Sequence, residues 1–206
     1  MATEITDRQK EIIDASLQLI AEGGIQGLTI KNIANKVGFT ESAIYRHYEN
    51  KIQILIAILN LFKEKSELFF ANELQTNHNA ITKIENLYLT HFMQFSITPS
   101  LVAVIFSEEI FRNETILVEK VQEIMKSTFS SLSTIIATGQ KNNEIRADMP
   151  TITLCTVIMG SLRMFVKQWQ MANYSFDLVT KGAEFINSMK ILIGANSKYN
   201  NTTINN

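Results

Sequence analysis

The sequence predicts an all-α fold, in which a small N-terminal module of three helices precedes a larger helical bundle. Only two prolines, Pro99 and Pro150, occur in 206 residues, and apolar residues recur at spacings of three and four over long stretches. No stretch sustains the alternation of apolar and polar residues that a half-buried strand requires. With 46% hydrophobic residues, the chain is long enough to bury a sizeable core without disulfides or metal ions. Helices are therefore expected through almost the whole chain.

The first two helices are defined by their capping residues. The first is predicted over about 6–22, because Gly23 and Gly24 then supply a left-handed stop. Thr29 opens a second, short helix as its N-cap, and Gly38 ends that helix. The residues expected to face inward from these two helices are Ile12, Ile13, Leu17, Ile20, Ile30, Ile33, Ala34 and Val37.

A third helix begins almost at once, with Thr40 as its cap and with Ile44 and Tyr48 as its inward pair. Asn50 then caps a fourth helix. The inward residues of the fourth helix are predicted to be Ile52, Leu55, Ile56 and Leu59. Longer helices are predicted beyond residue 61, over about 81–96, 101–112, 117–141, 151–172 and 176–193.

Charge and cysteine content restrict the class of protein. The single Cys155 excludes an internal disulfide framework and a multi-thiolate zinc site within one chain, and we interpret it as a packing residue. The longest apolar run, 54–59, is far shorter than the ~20 residues of a membrane-spanning helix, and residues 1–8 are not signal-like. We expect a soluble cytoplasmic protein with no membrane partner. Because the formal net charge is −1, any nucleic-acid binding must come from local placement of charge.

The second and third helices have the spacing of a helix-turn-helix. They are joined by residues 38–40 (Gly-Phe-Thr), where the glycine permits the tight reversal that places the second helix of the pair in the major groove. Lys51 follows the cap Asn50, so it puts a cation at the positive end of a helix, where the macrodipole disfavours it. A DNA phosphate would compensate for this placement. The alternative is a solvated lysine paired with Glu49.

Taken together, three segments of this chain resemble the DNA-binding signature of the tetracycline-repressor (TetR) family: 29–34 (TIKNIA), 37–40 (VGFT) and 43–51 (AIYRHYENK). The similarity covers approximately residues 7–59, and the other two-thirds resembles the family only in helix count, helix length and apolar character. The resemblance implies a homodimer whose two recognition helices face successive major grooves. It also implies release from DNA when a small molecule binds the larger domain. The predicted domains are a helix-turn-helix domain over 1–50, an effector-binding and dimerisation domain over 51–195, and a disordered tail over 196–206.

By resemblance, eight residues are expected to contact DNA. Contacts to the phosphate backbone are assigned to Thr29, Thr40, Tyr45, His47 and Lys51. Contacts to base edges are assigned to Ser42, Ala43 and Arg46. The residue pattern agrees in part, because arginine suits guanine and alanine suits a thymine methyl group. A histidine beside tyrosines on a short helix is otherwise more often a packing residue, and the motif favours the phosphate contact.

Two features of the N-terminal module depart from this expectation. Glu41 puts an acid at the start of the third helix, where a favourable interaction with the helix dipole is preferred over accepting a hydrogen bond from a cytosine amine. Up to residue 59 there are also six cations against seven acids. We therefore expect modest non-specific affinity and a strong salt dependence of specific binding.

The larger domain is rich in aromatic residues and methionine, and most of these side chains are expected in the core. A subset is predicted to line a pocket for a small, mainly apolar effector: Phe92, Phe95, Phe106, Met125, Phe129 and Met159. Arg163 or His91 would orient a polar end of the effector. The alternative for Arg163 is a dimer contact or an ion pair with Glu108, Glu109 or Glu184. The last two helices are candidates for a four-helix dimer interface.

The predicted function is a ligand-responsive repressor that binds a pseudo-palindromic double-stranded DNA operator as a homodimer. An enzyme is not expected, because the Glu-x-x-His pairs of a di-iron bundle and a glycine-rich phosphate loop are both missing from the sequence. No cofactor and no metal site are predicted. The second alternative is a helical ligand-binding or protein-interaction module that keeps the fold without DNA-binding activity, and the slightly acidic N-terminal module leaves it open.

Overall fold

The computed structural model describes residues 5–107 and 114–195, and these residues form α-helices without a β-strand. Numbered in chain order, the helices are α1 (Asp7–Gly23), α2 (Ile30–Val37), α3 (Glu41–Tyr45), α4 (Lys51–Gln75), α5 (Ala80–Ile97), α6 (Ser100–Ile105), α7 (Thr115–Lys141), α8 (Thr151–Met171) and α9 (Leu178–Ile193). A 3-10 turn at Ile25–Gly27 links α1 to α2. The all-α prediction is confirmed.

The chain divides into two compact units. The first unit contains Met1–Ser66 and Ile97–Met125, and the second contains Glu67–Ser96 and Lys126–Asn206. The predicted domain boundary after residue 50 therefore lies inside the first unit, and the functional domain limits of 1–50 and 51–195 remain a prediction. The tail over 196–206 lies outside the described residues.

The predicted caps of α2 form, and α1 begins with a capping box that was not predicted. At the start of α1, the Gln9 amide donates to Thr6 Oγ1 at 3.3 Å, and the Thr6 amide donates to Gln9 Oε1 at 3.0 Å. This reciprocal pair is a capping box. The hydroxyl of Thr29 caps α2 by accepting from the Asn32 amide at 3.1 Å. Gly38, at φ 72°, ends α2 in the left-handed conformation that favours glycine.

The core of the first unit differs in part from the predicted inward faces. Leu17, Ile30 and Val37 are only half-buried, and so are Ile52 and Ile56 of α4. Leu55 and Leu59 are buried as predicted, and Ile54 and Ile58 are buried with them. Since α4 begins with apolar residues on every side, its local pattern does not determine which side faces inward.

One predicted helix end is wrong, and the end of α4 was not predicted. Helix α4 continues to Gln75, well beyond the last inward residue assigned to it, because no glycine or proline interrupts 60–75. Helix α6 ends at Ile105, and Phe106 leaves the helical region at φ −110°. The sequence prediction of a helix over 101–112 is therefore wrong at this end, and its last part lies outside the described residues. The other long helices begin and end within two residues of their predicted limits.

The core of the second unit is aromatic. Tyr88, Phe92 and Phe95 of α5 have no exposed surface. The ring of Phe92 packs directly on Gly182 of α9, where a Cβ atom would lie 2.3 Å from the Phe92 ring. The Tyr88 hydroxyl donates to the carbonyl of Ile158 in α8 at 3.0 Å. Helices α5, α8 and α9 thus share one buried face in this unit. Within 5–107 and 114–195, no helix has the length and apolar character needed to cross a membrane.

Candidate nucleic-acid interface

The geometry of residues 30–45 is that of a helix-turn-helix. Gly38 ends α2, the Phe39 amide donates to the Ala34 carbonyl at 2.9 Å, and Thr40 Oγ1 accepts from the Ala43 amide at 3.2 Å. The turn is therefore fixed from both sides by caps. Ile44 has no exposed surface, and this anchors α3 to the module by a single apolar residue.

Most of the residues predicted to contact DNA lie on the surface of the first unit. The exposed ones are Thr29, Thr40, Ser42, Tyr45, Arg46 and Lys51, whereas Ala43 and His47 are half-buried. The hydroxyls of Thr29 and Thr40 each accept a backbone N–H as caps. Because a hydroxyl is also a donor, each can still donate to a phosphate oxygen. The DNA-binding role of these eight residues remains a prediction.

The hydrogen bonds at the start of α4 show whether Lys51 is paired with Glu49. Asn50 Oδ1 caps the helix by accepting from the Gln53 amide at 3.1 Å. The side chain of Gln53 in turn binds Glu49, donating to its carboxylate at 2.9 Å and accepting from its amide at 2.9 Å. Lys51 is exposed and makes no ion pair with any described residue. The pairing of Lys51 with Glu49 is therefore not formed, and the lysine is available to an external anion.

Ion pairing leaves the net charge of the N-terminal module unchanged, because each pair joins one acid and one cation, but it determines which cations remain unpaired. Two of its acids are neutralised by neighbours: Glu11 Oε2 lies 2.7 Å from Arg8, and Glu22 Oε1 lies 2.5 Å from Lys36. Four cations have no acid partner in the part of the chain that the structure describes, namely Lys10, Lys31, Arg46 and Lys51. Three of these four lie on α2, at the end of α3 or at the start of α4. An overall count of charges could not show this distribution.

Lys31 is a candidate contact that sequence reasoning missed. It lies in the first turn of α2, two residues after the cap Thr29, and it is exposed. Its signal in the sequence is the one used for Lys51, a cation at the positive end of a helix.

The residues predicted to bind an effector fall in both units. Phe106 and Met125 belong to the first unit, and the other five belong to the second. Phe92 and Phe95 are completely buried, Phe129 and Met159 are half-buried, and Arg163 is exposed.

Phe92 lies in an aromatic cluster that the sequence prediction did not assemble. Its ring centroid is 5.4 Å from that of Phe165 and 5.9 Å from that of Tyr88. Phe165 in turn stacks on Phe185 at 4.7 Å, and Phe185 meets Tyr88 at 5.7 Å. The spacing of four between Tyr88 and Phe92 was visible in the sequence, but the partners from α8 and α9 depend on tertiary packing.

The polar candidates beside this cluster differ in exposure. Arg163 lies on the outer side of α8, and of its three suggested acid partners only Glu184 is described, in an ion pair with Lys181 at 3.0 Å. His91 is buried, and its Nδ1 lies 2.8 Å from the carbonyl oxygen of Leu87. Burial lowers the pKa of His91, and the hydrogen bond to Leu87 only partly opposes this effect. The imidazole is therefore neutral at neutral pH.

A helix-turn-helix with exposed cations, followed by a helical unit with an aromatic core, is typical of DNA-binding regulators with a sensory domain. Residues 12–58 match the family of bacterial regulatory proteins described as the tetR family, and residues 59–194 match the C-terminal region of YsiA-like proteins. The chain belongs to the TetR family and is a ligand-responsive, DNA-binding transcriptional regulator.

One relative in sequence and two solved structures illustrate the relationship. The fatty acid metabolism regulator protein of Bacillus subtilis (strain 168) is 29% identical over 171 residues, which are 82% of this chain and 87% of that protein. The fatty acid degradation regulator FadR of Bacillus halodurans superposes with a TM-score of 0.81 at 22% identity, covering 91% of this chain and 97% of that one. FadR of Bacillus subtilis, in complex with stearoyl-CoA, superposes with a TM-score of 0.73 at 26% identity, covering 87% and 96%.

Proposed function

We propose that this protein is a cytoplasmic repressor that binds a two-fold symmetric operator as a homodimer and is released by an effector whose acyl chain is apolar. The observation that carries the proposal is the set of exposed cations without acid partners at the helix-turn-helix, Lys31, Arg46 and Lys51. They lie beside exposed hydroxyls on a module anchored by the buried Ile44. Phosphate contacts supply affinity and orientation, and contacts to base edges supply sequence preference.

Each DNA contact has a proposed role. Thr29, Thr40, Tyr45, His47 and Lys51 contact the phosphate backbone, and Lys31 joins them. Ser42, Ala43 and Arg46 face base edges, with the arginine suited to guanine. One five-residue recognition helix offers few base contacts, so a unique site requires two of them, about 34–36 Å apart on the duplex.

The dimer is proposed to form through α8 and α9. Both helices carry large apolar side chains that are exposed in the single chain: Ile152, Met164, Met171, Ile191 and Leu192. Gly160, in the middle of α8, is also exposed and has open space around it. A helix-interior glycine is less favourable than alanine by about 0.8–1.0 kcal/mol. A second helix that approaches closely at this position would explain why a glycine occurs there.

The proposed effector is a fatty acyl thioester of coenzyme A. The support is the similarity to the Bacillus subtilis regulator whose structure contains stearoyl-CoA, together with the aromatic character of the second unit. The acyl chain would lie among Phe92, Phe95, Phe129 and Met159, and the exposed Arg163 would face the anionic head group. An effector can shift the equilibrium only through different affinities for the two states of the protein.

This proposal is tested by measuring operator binding and the loss of operator affinity when the effector is added. DNA flanking the coding region of the protein would be footprinted, and the protected duplex would be titrated with stearoyl-CoA, coenzyme A alone and stearate. We expect a two-fold symmetric footprint and a loss of operator affinity of ~5–150-fold with stearoyl-CoA only, as a coupling of ~1–3 kcal/mol predicts. Stearoyl-CoA that binds without changing operator affinity would contradict the proposed effector. Failure to protect any DNA would favour a module of the same fold without DNA-binding activity.

A further inference from the structure

We infer that Arg8 is a positioning residue for the recognition segment and that it acts through Phe39. The guanidinium carbon of Arg8 lies 5.0 Å from the centroid of the Phe39 ring. Arg8 is in the first turn of α1, and Phe39 is the middle residue of the turn between α2 and α3. The inference rests on the proposed function, because it concerns how the module holds α3 for DNA.

In the turn between α2 and α3, Phe39 has the side chain that is available to contact the rest of the module. Gly38 has no side chain, and the hydroxyl of Thr40 is used as the cap of α3. The Phe39 amide is bonded to the Ala34 carbonyl, so its backbone follows the end of α2. A cation held over the half-buried ring therefore links the first turn of α1 to the residue that separates the two helices of the motif.

Arginine has the chemistry that this contact needs. Its Nη1 donates to Glu11 Oε2 at 2.7 Å, one turn further along α1, and this hydrogen bond orients the guanidinium plane. A planar guanidinium can stack on a ring and donate to a carboxylate at the same time, whereas the ammonium of lysine is a compact, strongly hydrated charge. We therefore expect lysine at position 8 to be a poor substitute although it keeps the charge.

The contact should affect specific and non-specific binding differently. Base contacts require α3 in one orientation, whereas attraction to phosphates tolerates small displacements. The Arg8 side chain is 59% exposed, so a direct phosphate contact is the competing explanation. A phosphate contact would contribute about one unit to the slope of log affinity against log salt, and a positioning residue would contribute nothing to it.

The experiment uses the full chain and an operator selected from random-sequence duplexes with the parent protein. Affinities for the operator and for a random duplex are measured over a range of salt concentrations. The variants are Arg8→Met, Arg8→Lys, Phe39→Leu and the double variant Arg8→Met/Phe39→Leu. Lys10→Met is the matched control, because it removes an exposed cation from the same helix that makes no ion pair with a described residue.

We expect Arg8→Met, Arg8→Lys and Phe39→Leu each to weaken operator binding by about two- to fivefold per half-site, with no change in random-duplex affinity beyond that of Lys10→Met. The double variant should be no weaker than either single variant, because both remove one contact. The salt slope should stay that of the parent.

Two results would overturn the inference in favour of a phosphate contact. One is a salt slope lower by about one unit in Arg8→Met, and the other is an operator affinity of Arg8→Lys equal to that of the parent. Additive effects in the double variant would overturn it as well. In both cases the parent still binds its operator, so the proposed function stands. If selection with the parent yields no specific duplex, the proposed function fails and this inference fails with it.

Discussion

The hydroxyl groups of Tyr48 and Tyr88 are both buried, and they differ in what they touch. The Tyr88 hydroxyl donates to the Ile158 carbonyl and lies 2.9 Å from the Ser161 hydroxyl. The Tyr48 hydroxyl has no hydrogen-bond partner in the described part of the chain. Burial raises the pKa of both phenols, so both stay protonated at neutral pH. A buried polar group without a partner reduces stability, whereas a paired one contributes to it.

This difference predicts opposite effects of removing the two hydroxyls. Tyr48→Phe should leave the free energy of unfolding unchanged or raise it. Tyr88→Phe should lower it by about 0.5–1.5 kcal/mol, because a buried hydrogen bond is lost. Denaturant unfolding of the parent and both variants measures the two values. An equal loss in both variants would show that Tyr48 has a hydrogen-bond partner, such as an ordered water.

At the scale of helices, one carboxylate ties α4 to α7 within the first unit. Glu123 of α7 accepts from Lys120 at 2.7 Å and also from Lys63 of α4. The hydrogen bond from Lys120 and then that from Lys63 lower the pKa of Glu123 from 4.5 to about 2. Because the pKa is lower in the folded state, the stabilisation is complete above about pH 4.5 and is lost as the pH falls through about 2.

Lys63→Met should therefore raise the pKa of Glu123 towards its ordinary value without removing the contact to Lys120. The pKa is measured from the carboxyl chemical shift of Glu123 during an acid titration of the labelled protein. Lys65→Met is the control, since it removes an exposed cation from the same helix. A Glu123 pKa that stays near 2 in Lys63→Met would show that the tie between α4 and α7 does not form in solution.

Some helix limits and inward faces could be predicted from the sequence, and others could not. Threonine caps and glycine stops are local signals, so the limits of α1 and α2 and the turn into α3 followed from a few residues each. The inward side of α4 did not, because Ile52, Ile54 and Ile56 are equally apolar and only the packing distinguishes them. The end of α6 has no glycine or proline to mark it.

The candidate sites show a similar division. The exposed positions of the helix-turn-helix could be predicted, because Ile44 fixes which side of α3 is buried. Residues of the aromatic cluster come from α5, α8 and α9, which are far apart in sequence, so their association could not be predicted from spacing. The availability of Lys51 also depended on the hydrogen bonds between Gln53 and Glu49, which a count of charges does not include.

For the whole molecule, the proposed dimer predicts which apolar residues are sensitive to charge. Met164→Glu and Met171→Glu should shift the protein from dimer to monomer at micromolar concentration, because both side chains are exposed on α8. Met93→Glu is the matched control, since Met93 is exposed on α5, outside the proposed interface. Light scattering measures the mass of each variant. A parent that is monomeric at these concentrations would contradict the dimer, as would equal behaviour of all three variants.

Operator binding is proposed to depend on the exposed cations of α2, of the C-cap of α3 and of the start of α4. The measurement that tests it most directly is operator affinity across salt concentrations for the parent, Lys51→Ala, Arg46→Ala and Lys10→Ala. We predict that Lys51→Ala flattens the salt slope by about one unit and weakens binding to all sequences, and that Arg46→Ala costs ~1–3 kcal/mol and relaxes the preference at one base position. Lys10→Ala should bind like the parent. If Lys51→Ala and Arg46→Ala also bind the operator with the parent's affinity and salt slope, the proposed interface is wrong.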